Sequence, residues 1–180
     1  MSTVQYYVAQ SLDGFIADAD DRIDWLLAFG FEAFQEGYDR FFAGVGAIVM
    51  GAGTLRFLLE EGGPWAYPGL PVWVLTHGEV PTIEGADIRI VSDDVARVTR
   101  EARAAAGDRS VWLVGGGATA AQFAEIGEID ELIVTVMPLT LGSGARLLPT
   151  TGQPHSWDLT GTSTFENGAV ELRYRRRSED

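Results

Sequence analysis

The sequence predicts an α/β fold with a mostly parallel sheet and an antiparallel edge. Short apolar segments alternate with helical ones through the first three quarters of the 180 residues, which is the order of a parallel sheet with helices on its faces. Glu131–Met137 is almost continuously hydrophobic, as expected of a central strand covered on both faces. The last quarter alternates in polarity around Glu166-Asn167-Gly168, which indicates a β-hairpin. The length is that of one domain, so we expect residues 1–180 to form a single unit.

Six predicted strands precede the hairpin. Each is a short run of aliphatic, β-branched or aromatic residues, and Gly and Pro punctuate the chain between them. In chain order they cover residues 4–9, 47–50, 72–76, 88–91, 111–114 and 131–137. The two hairpin strands cover residues 157–165 and 169–176.

Four helices are predicted between these strands. The first is an aromatic segment whose rings recur at helical spacing, namely Phe31, Phe34, Tyr38, and Phe41 or Phe42. The second runs from the turn at residues 51–54 to about residue 60, and the last covers about residues 118–126. The third begins at Asp93 and Asp94 and ends at Gly107. Its buried face is predicted to consist of Val95, Val98, Ala102 and Ala105.

The composition excludes several kinds of site. The chain has no Cys, so it has no disulfide, no thiolate zinc site, no cysteine-ligated iron–sulfur cluster and no cysteine nucleophile. All 13 basic residues are Arg, and the absence of Lys excludes Schiff-base catalysis and the lysine of a P-loop. His77 and His155 are the only histidines, so a histidine-rich metal site is excluded and no metal is expected.

The charge disfavours several classes of partner. A net charge of −13 gives no basic surface with which to neutralise a phosphate backbone, so no nucleic-acid partner is expected. The basic run at residues 173–177 has the character of a solvated strand end. No apolar span reaches about 20 residues, and the N-terminus lacks the features of a signal peptide. We therefore expect a cytoplasmic protein that does not bind membranes.

Two segments share one design, in which a buried strand leads into a glycine-rich turn and then a helix. The turns are Gly51-Ala52-Gly53-Thr54 and residues 115–119. A helix N-terminus offers unpaired N–H groups and the positive end of the helix dipole, and glycine lets a phosphate approach them closely. Glycine also makes tight turns where no ligand binds. Two such turns on one sheet, in a chain without Lys, favour the binding of a phosphorylated ligand.

The second turn also fits the Gly-x-Gly-x-x-Ala fingerprint of a Rossmann fold through Gly115, Gly117 and Ala120. That fingerprint belongs in the first strand–helix unit, and an acidic residue follows about 20 positions later. Here the motif begins near residue 115, and the next strand ends at Pro138 without an acid. The spacing therefore disfavours a Rossmann fold.

The ordered motifs resemble a known family. They are Ser11-Leu-Asp-Gly-Phe-Ile-Ala17, Asp24-Trp25, Val49-Met-Gly-x-x-Thr54, Val114-Gly-Gly-Gly117 and Ile129-Asp-Glu-Leu132. Over nearly the whole chain the sequence is similar to the dihydrofolate-reductase-like family, in the branch of the riboflavin-biosynthesis reductase (the RibD C-terminal domain), and to its stand-alone bacterial members. The resemblance implies a three-layer, mostly parallel eight-stranded sheet. It also implies a reduced nicotinamide cofactor, NADPH as a rule, with NADH possible.

The resemblance further implies where the cofactor binds. Ala9 and Ile16 would flank the nicotinamide. The pyrophosphate side would meet Gly51, Ala52 and Thr54, and the other helix would close over the diphosphate with Gly115, Gly116, Gly117, Ala118 and Thr119. Thr76 and His77 would lie near the adenosine 2′-phosphate or the adenine, although His77 also suits a surface turn before Gly78.

At two positions the sequence departs from folate reductases. Ala52 stands where they carry an Arg that contacts the 2′-phosphate, and Arg56 follows one turn later. Because Arg is a bidentate phosphate partner, its absence leaves the choice between NADPH and NADH open and favours the riboflavin branch. The position of their pterin-binding helix carboxylate is taken by Gln35, which argues against folate reduction.

Reduction of a C=N or C=O bond also needs a proton source beside the substrate. The candidate catalytic residues are Asp13 and Asp24. Asp13 matches the riboflavin-branch motif near the substrate, but it also suits a turn residue ahead of Gly14. Glu32, predicted within the aromatic helix, has the character of a solvated helix face. The cations available for a substrate phosphate are Arg22, Arg56 and Arg146.

The function predicted from the sequence is an NAD(P)H-dependent reductase of a small heterocyclic substrate. The substrate would be of pyrimidine or pterin type, as for the 5-amino-6-(5-phosphoribosylamino)uracil reductase of riboflavin biosynthesis. The alternatives are a dihydrofolate reductase and a nucleotide-binding protein without turnover. Five Trp and nine Phe, together with a loop at residues 139–145 that resembles a segment near the family's dimer contacts, predict a homodimer.

Overall fold

The computed structural model describes residues 2–92 and 94–177. Five helices are present in this part of the chain: α1 (Asp24–Leu27), α2 (Gln35–Ala43), α3 (Ala52–Glu60), α4 (Val95–Ala106) and α5 (Gly117–Glu125). The strands are β1 (Val4–Ser11), β2 (Phe15–Ala17), β3 (Val45–Gly51), β4 (Pro71–Leu75), β5 (Asp87–Val91), β6 (Ser110–Gly115), β7 (Glu131–Met137), β8 (Ala145–Arg146), β9 (Trp157–Thr164) and β10 (Val170–Arg176).

Eight strands form one sheet in the order β5-β4-β3-β6-β1-β7-β10-β9. The neighbours from β5 to β7 are parallel, and β10 is antiparallel to both β7 and β9. The predicted mostly parallel sheet with an antiparallel edge is confirmed. Since the carboxyl ends of parallel strands lie at one edge of the sheet, the segments that follow β1, β3, β6 and β7 come together there.

Helices cover both faces of the sheet. On one face α4 and α5 pack residues such as Val98 and Phe123 against the sheet core. On the other face α2 and α3 cover a second core. Its centre is Trp112, whose ring lies 5.4–6.2 Å, centroid to centroid, from four aromatic rings: Tyr38, Phe41, Phe42 and Tyr67. The predicted three layers are confirmed.

The predicted aromatic helix was wrong in its extent. Two short helices, α1 and α2, replace it, and Phe31 and Phe34 lie in the turn between them. Gly30, with a φ of +71°, lies in the left-handed region that ends helices. Glu32 is in the same turn, so it is not on a helix as predicted. The aromatic rings keep a helical spacing across the break between α1 and α2, so their spacing alone does not reveal where the helix is interrupted.

Helix α4 follows its prediction with one change. Asp94 caps it, since its Oδ1 accepts a hydrogen bond of 2.9 Å from the Arg97 N–H, whereas Asp93 lies outside the described residues. The buried face contains Val98, Ala102 and Ala106. Ala105, which was predicted to be buried, is exposed, and Thr99 is buried instead, because the buried face of the helix is turned towards Thr99 and away from Ala105 at 3.6 residues per turn. Gly107 ends the helix with a φ of +63°.

A second, two-stranded sheet pairs β2 with β8. Residues 145 and 146 were predicted as part of no strand, because so short a segment has no measurable periodicity. Gly144 makes the pairing possible, since a Cβ there would collide with the Ala17 carbonyl oxygen. In the part of the chain that the structure describes, no helix is long and apolar enough to cross a membrane.

Candidate functional site

The two glycine turns lie side by side at the carboxyl edge of the sheet. Gly51 ends β3 and is the N-cap of α3, and Gly116 follows β6 and is the N-cap of α5. Neither helix start receives a hydrogen bond from the side chain of its capping residue. Both capping residues are glycines, so no cap side chain competes with a ligand for the first N–H groups of either helix, and both helix dipoles point their positive ends toward this edge.

The turns contact each other through Gly51 and Thr119. A Cβ on Gly51 would collide with the Thr119 hydroxyl, and Gly115 O would lie 3.7 Å from it. Gly51 and Thr119 were both predicted in the diphosphate site, and the fold brings them together. The glycine at position 51 is required by this approach of α5, in addition to any approach of a ligand.

Within the second turn the glycines differ in their surroundings. A Cβ on Gly117 would overlap the Arg146 carbonyl oxygen and lie 3.1 Å from that of Leu147, so Gly117 lets α5 approach the segment of β8. Gly116 has no such neighbour within 4 Å, and the Gly115–Gly116 peptide bond is cis. Ala118 is exposed. Gly116 therefore presents the open backbone of this turn.

An open cavity of about 510 Å³ lies between α3 and the end of β4. Ala52 and Thr76 line it, so two predicted cofactor residues are brought to one place. His77 is exposed between the lining residues Thr76 and Gly78. The charged side chains in the lining are Arg56, Glu60 and Glu79. A phosphate in this cavity would therefore meet one cation and two carboxylates. Thr54, on the same helix, is half-buried.

A second, mostly apolar cavity of about 320 Å³ lies between the sheet and the first two helices. The predicted residue Ala9 lines it at the end of β1. The other lining residues are Tyr7, Val8, Leu26, Leu27, Gly30, Phe31, Phe34, Tyr38, Trp112, Thr135 and Met137. Flat aromatic and aliphatic walls with few polar groups are typical of a site for a small ring compound. Ile16 is half-buried in β2 and is not part of this lining.

Tyr7 is a protonated hydrogen-bonding group in this cavity at neutral pH. Burial, and next the negative charge of Glu171, raise the pKa of the Tyr7 hydroxyl to about 12. Burial also raises the pKa of Tyr38 above its ordinary value. Both phenols keep their protons across the physiological range, so each can donate a hydrogen bond to a ligand.

Sequence reasoning missed Glu171. It is 5% exposed and is the one buried charged residue among the residues that the structure describes. It pairs with Thr135 across β10 and β7, and Thr135 pairs with Ala9. Its Oε1 accepts a hydrogen bond of 2.9 Å from Arg173 Nε. The alternating pattern of the hairpin does not show that this strand lies inside the sheet, between β7 and β9.

Asp13 is a hydrogen-bond acceptor in the structure. Its Oδ1 accepts from the Ser11 hydroxyl at 2.6 Å and from the Leu141 N–H at 3.0 Å, and its Oδ2 accepts from the Gly142 N–H at 2.7 Å. These bonds, the one from Ser11 foremost, lower the pKa of Asp13 to about 2. The carboxylate thus ties the loop after β7 to the end of β1. Its predicted catalytic role stays a prediction.

Asp24 and Trp25 begin the short helix whose Leu26 and Leu27 line the apolar cavity. The Asp24 side chain is 78% exposed and lies 3.8 Å from Arg22 Nε. The indole N–H of Trp25 is buried without a hydrogen-bond partner among the described residues. Asp24 therefore lies outside the lining, in solvent, and its catalytic role also stays a prediction.

Comparison with known proteins shows which proteins this chain is similar to. The family model that matches is that of the RibD C-terminal domain, over residues 68–170. The chain is also 31% identical over 170 residues to the uncharacterized protein YwjB of Bacillus subtilis strain 168, and the match covers 94% of this chain and 95% of that protein.

Many solved structures are similar to this chain in fold. One is a protein from Shewanella sp. PV-4 that is named as a riboflavin biosynthesis protein, with a TM-score of 0.84 and 24% identity. The match covers 99% of this chain and 100% of that one. Another is dihydrofolate reductase of Enterococcus faecalis complexed with NADP(H), with a TM-score of 0.65 and 18% identity. The match covers 98% of this chain and 97% of that one. The predicted dihydrofolate-reductase-like fold is confirmed.

Proposed function

Because the chain belongs to the RibD C-terminal domain family, we propose that it is an NAD(P)H-dependent reductase of a pyrimidine- or pterin-type substrate. One observation carries the proposal. In the strand order β4-β3-β6-β1, the glycine turns that follow β3 and β6 lie between the open cavity at the end of β4 and the apolar cavity beside β1. An extended dinucleotide with a diphosphate in its middle suits this order of features.

The residues present fit such a cofactor. The uncapped starts of α3 and α5 would hold the diphosphate with backbone N–H groups, and the contact between Gly51 and Thr119 keeps these two helix starts together. Ala52, Thr76 and Arg56 would meet the adenosine end. Ala9 would face the nicotinamide, where its small side chain leaves room for a flat ring. Ile16 is proposed on the other side of that ring.

The chemistry proposed is hydride transfer to an electrophilic carbon of a C=N or C=O bond, with a proton delivered to the adjacent nitrogen or oxygen. The reduced nicotinamide supplies the hydride when it is bound. The protein aligns the reacting groups and excludes water, which is the task of the aromatic and aliphatic lining. Tyr7 donates a hydrogen bond at the cavity wall.

The two carboxylates predicted from the sequence enter the proposal in different ways. Asp13 is the positioning residue that holds the loop after β7, because a carboxyl with a pKa of about 2 carries no proton to give near neutral pH. Asp24 is the candidate proton source, acting through water, since it begins the helix whose Leu26 and Leu27 line the cavity.

Binding of the cofactor is the first test. The protein is titrated with NADPH and with NADH up to millimolar concentration, while tryptophan fluorescence and nicotinamide emission are recorded. We expect tryptophan quenching and enhanced nicotinamide emission. If neither dinucleotide changes either signal, the proposed function is wrong.

A second measurement separates reductase classes. The oxidation of the bound cofactor is followed with dihydrofolate and with 5-amino-6-(5-phosphoribosylamino)uracil as hydride acceptors. Turnover of dihydrofolate alone would identify a folate reductase. Binding without turnover on any heterocycle would identify a nucleotide-binding protein.

The proposed assembly is a homodimer. In the structure the loop at residues 139–145 bonds to its own chain, through Leu12 N–H to Leu139 O at 2.8 Å and through Asp13. Light scattering of the purified protein gives the mass, and a monomer at all concentrations would contradict this part of the proposal.

A further inference from the structure

We propose that Tyr7 is a catalytic residue, whose hydroxyl hydrogen-bonds the substrate nitrogen or oxygen beside the hydride-accepting carbon and delivers the proton to it. The inference rests on the proposed function and adds the last step of its proton transfer. From the sequence, Tyr7 was predicted only as part of the first strand.

Few groups in the apolar cavity can give a proton. Of the described residues that line it, four carry a side-chain N–H or O–H group: Tyr7, Tyr38, Trp112 and Thr135. The indole N–H of Trp112 is engaged, because it donates to the backbone oxygen of Tyr7 at 3.3 Å. The aliphatic hydroxyl of Thr135 is a much weaker acid than a phenol. The two tyrosines are therefore the proton donors that this lining offers.

The Tyr7 hydroxyl has no hydrogen-bond partner among the residues that the structure describes. The preceding residue shows the contrast. Tyr6 is fully buried, and its hydroxyl donates to the Leu147 carbonyl at 3.2 Å. Because successive side chains of a strand point to opposite faces, Tyr6 lies in the core and Tyr7 faces the cavity. A phenol O–H in an apolar cavity is satisfied when a ligand accepts its hydrogen bond.

Tyr7 is better placed for this role than Tyr38. Tyr7 and Ala9 are two positions apart on β1, so their side chains share one face of the sheet, about 6.5 Å apart along the strand. Ala9 is the residue proposed beside the nicotinamide. Tyr38 belongs to α2, on the opposite wall, where its ring stacks on Phe42 at 5.7 Å. A substrate ring that lies next to the nicotinamide therefore comes within reach of Tyr7.

The charges near Tyr7 suit a proton donor. Burial, and next the negative charge of Glu171, raise the pKa of the hydroxyl to about 12, so it is protonated at neutral pH. The positive charge of Arg173 lowers this pKa and stabilises the phenolate that remains after the transfer. Glu171 and Arg173 form an ion pair of 2.8 Å with each other. Their effect on Tyr7 needs no contact with the substrate.

The proposed step balances as follows in electrons and protons. Two electrons pass with the hydride to the carbon of the C=N or C=O bond, which is reduced, and the electron pair of that double bond moves to the nitrogen or oxygen. The O–H bond of Tyr7 breaks as the new N–H or O–H bond forms. The phenolate then regains a proton from water. Asp24 lies outside the lining, so it serves on the solvent side and does not touch the substrate.

A matched pair of ligands tests the hydrogen bond without cofactor or turnover. Pyrimidine and benzene have nearly the same size and shape, but only pyrimidine has ring nitrogens that accept a hydrogen bond. Their dissociation constants are measured by NMR titration of the wild type and of Tyr7→Phe. We expect Tyr7→Phe to weaken pyrimidine binding about three- to tenfold and to leave benzene binding unchanged. Equal changes for both ligands, or none for pyrimidine, would overturn the proposal.

Two further Tyr→Phe variants are the controls. Tyr6→Phe removes a bonded hydroxyl, so it should lower Tm and leave pyrimidine binding as in the wild type. Tyr7→Phe should leave Tm unchanged, and a decrease equal to that of Tyr6→Phe would assign its hydroxyl a structural role. Tyr38→Phe should weaken pyrimidine binding less than Tyr7→Phe does. An equal or larger loss in Tyr38→Phe would contradict the assignment to Tyr7.

Turnover tests the proton transfer itself, with dihydrofolate or 5-amino-6-(5-phosphoribosylamino)uracil as the acceptor. We expect Tyr7→Phe to lower kcat about 100-fold or more, with the dissociation constant of the dinucleotide unchanged. An unchanged kcat would refute the transfer. Replacement of Tyr7 by difluorotyrosine, a more acidic phenol of similar shape, is the second variant should Tyr7→Phe fail to fold. The alkaline decrease in kcat should then move to lower pH, and an unmoved pH profile would contradict the inference.

The failure of this inference is distinguishable from that of the proposed function. A protein that binds NADPH or NADH, but whose Tyr7→Phe variant keeps its kcat, retains the proposed function and loses the inference. A protein that binds neither dinucleotide loses the proposed function. Where neither acceptor is turned over, the comparison of pyrimidine with benzene decides the role of Tyr7.

Discussion

Gly51 and Thr119, which are 68 positions apart, lie in contact, and a Cβ on the glycine would collide with the threonine hydroxyl. The contact joins the starts of α3 and α5, each at the end of its strand. Because β3 and β6 are neighbours in the sheet, the two helix starts lie side by side. The distance between the two helix starts depends on the absence of a Cβ at position 51.

The first prediction is that Gly51→Ala destabilises the fold by about 1–3 kcal/mol, since overpacking at a close contact has costs of that order. Thr119→Ala in the same chain removes the clashing hydroxyl and leaves the Cβ of residue 119 at 3.6 Å, an ordinary contact distance. The double variant should therefore recover most of the lost stability. Urea unfolding of the four proteins in this double-mutant cycle measures the coupling. Additive effects would refute the contact.

The second prediction compares two Gly→Ala changes. Gly117→Ala should destabilise by about 1–3 kcal/mol, because its Cβ would overlap the Arg146 carbonyl, a backbone atom that cannot rotate away. Gly37→Ala is the control. Gly37 lies within α2 with nothing within 4 Å of a Cβ, so alanine there should stabilise by about 0.5–1 kcal/mol. Thermal unfolding of both variants shows whether each change raises or lowers stability. A stabilised Gly117→Ala protein would contradict the packing of α5 on β8.

The third prediction concerns acid. The pKa of Asp13 is about 2 in the folded protein and 3.8 as an ordinary value. A lowered folded-state pKa stabilises the protein above the unfolded-state value, and this contribution is lost as the pH falls through the folded-state value. Asp13→Asn should therefore lower Tm at pH 7, and the difference from wild type should shrink between pH 4 and pH 2.

Asp24→Asn is the control for this experiment, because that carboxylate is exposed and 3.8 Å from its cation. Its Tm should differ little from that of the wild type at any pH, as for most surface ion pairs. The same two variants test the catalytic predictions. If Asp24 is the proton source, kcat falls in Asp24→Asn while cofactor binding is unchanged. An unchanged kcat would remove Asp24 from the mechanism.

The fourth prediction concerns the choice of cofactor. Arg56 is the single cation in the described lining of the cavity beside α3, where Glu60 and Glu79 also lie. Arg56 would attract a 2′-phosphate, and Glu60 and Glu79 would repel it. We therefore expect the dissociation constants of NADPH and NADH to lie within about tenfold of each other. Arg56→Ala should weaken NADPH about tenfold and leave NADH unchanged.

Glu79→Gln should act in the opposite direction and tighten NADPH binding relative to NADH. Fluorescence titrations with both dinucleotides give the ratios. Equal changes for the two cofactors in Arg56→Ala would show that this arginine does not contact the 2′-phosphate. An unchanged ratio in Glu79→Gln would show that the carboxylate does not face it.

The parts of the fold that were predictable are those with a strong local signal. Strand β7 is apolar along almost its whole length, and the α4 stop at Gly107 depends on one residue. The break between α1 and α2 was missed because aromatic spacing continues through Gly30, where only the backbone angle changes. Strands of two or three residues, such as β8, carry no pattern of their own.

The same distinction applies to the site. The glycine turns were predictable because strand, glycine and helix follow one another in the chain. Glu171 was not, because its burial depends on which strand β10 pairs with, 36 residues away at Thr135. Asp13 could be recognised as an important carboxylate, but its partners Leu141 and Gly142 are brought to it only by the tertiary fold.

The central place of β1 also has a consequence for biosynthesis. Its neighbours are β6 and β7, so Tyr6 pairs with Leu113 and Leu132, both more than 100 residues downstream. While the chain is being made, this apolar first strand must wait, unpaired, until β6 (Ser110–Gly115) has left the ribosome, which is after more than half of the protein has been made. We expect the nascent chain to need protection from aggregation through that interval. Ribosome-bound chains that end before residue 131 should lack the pairing of β1 with β7.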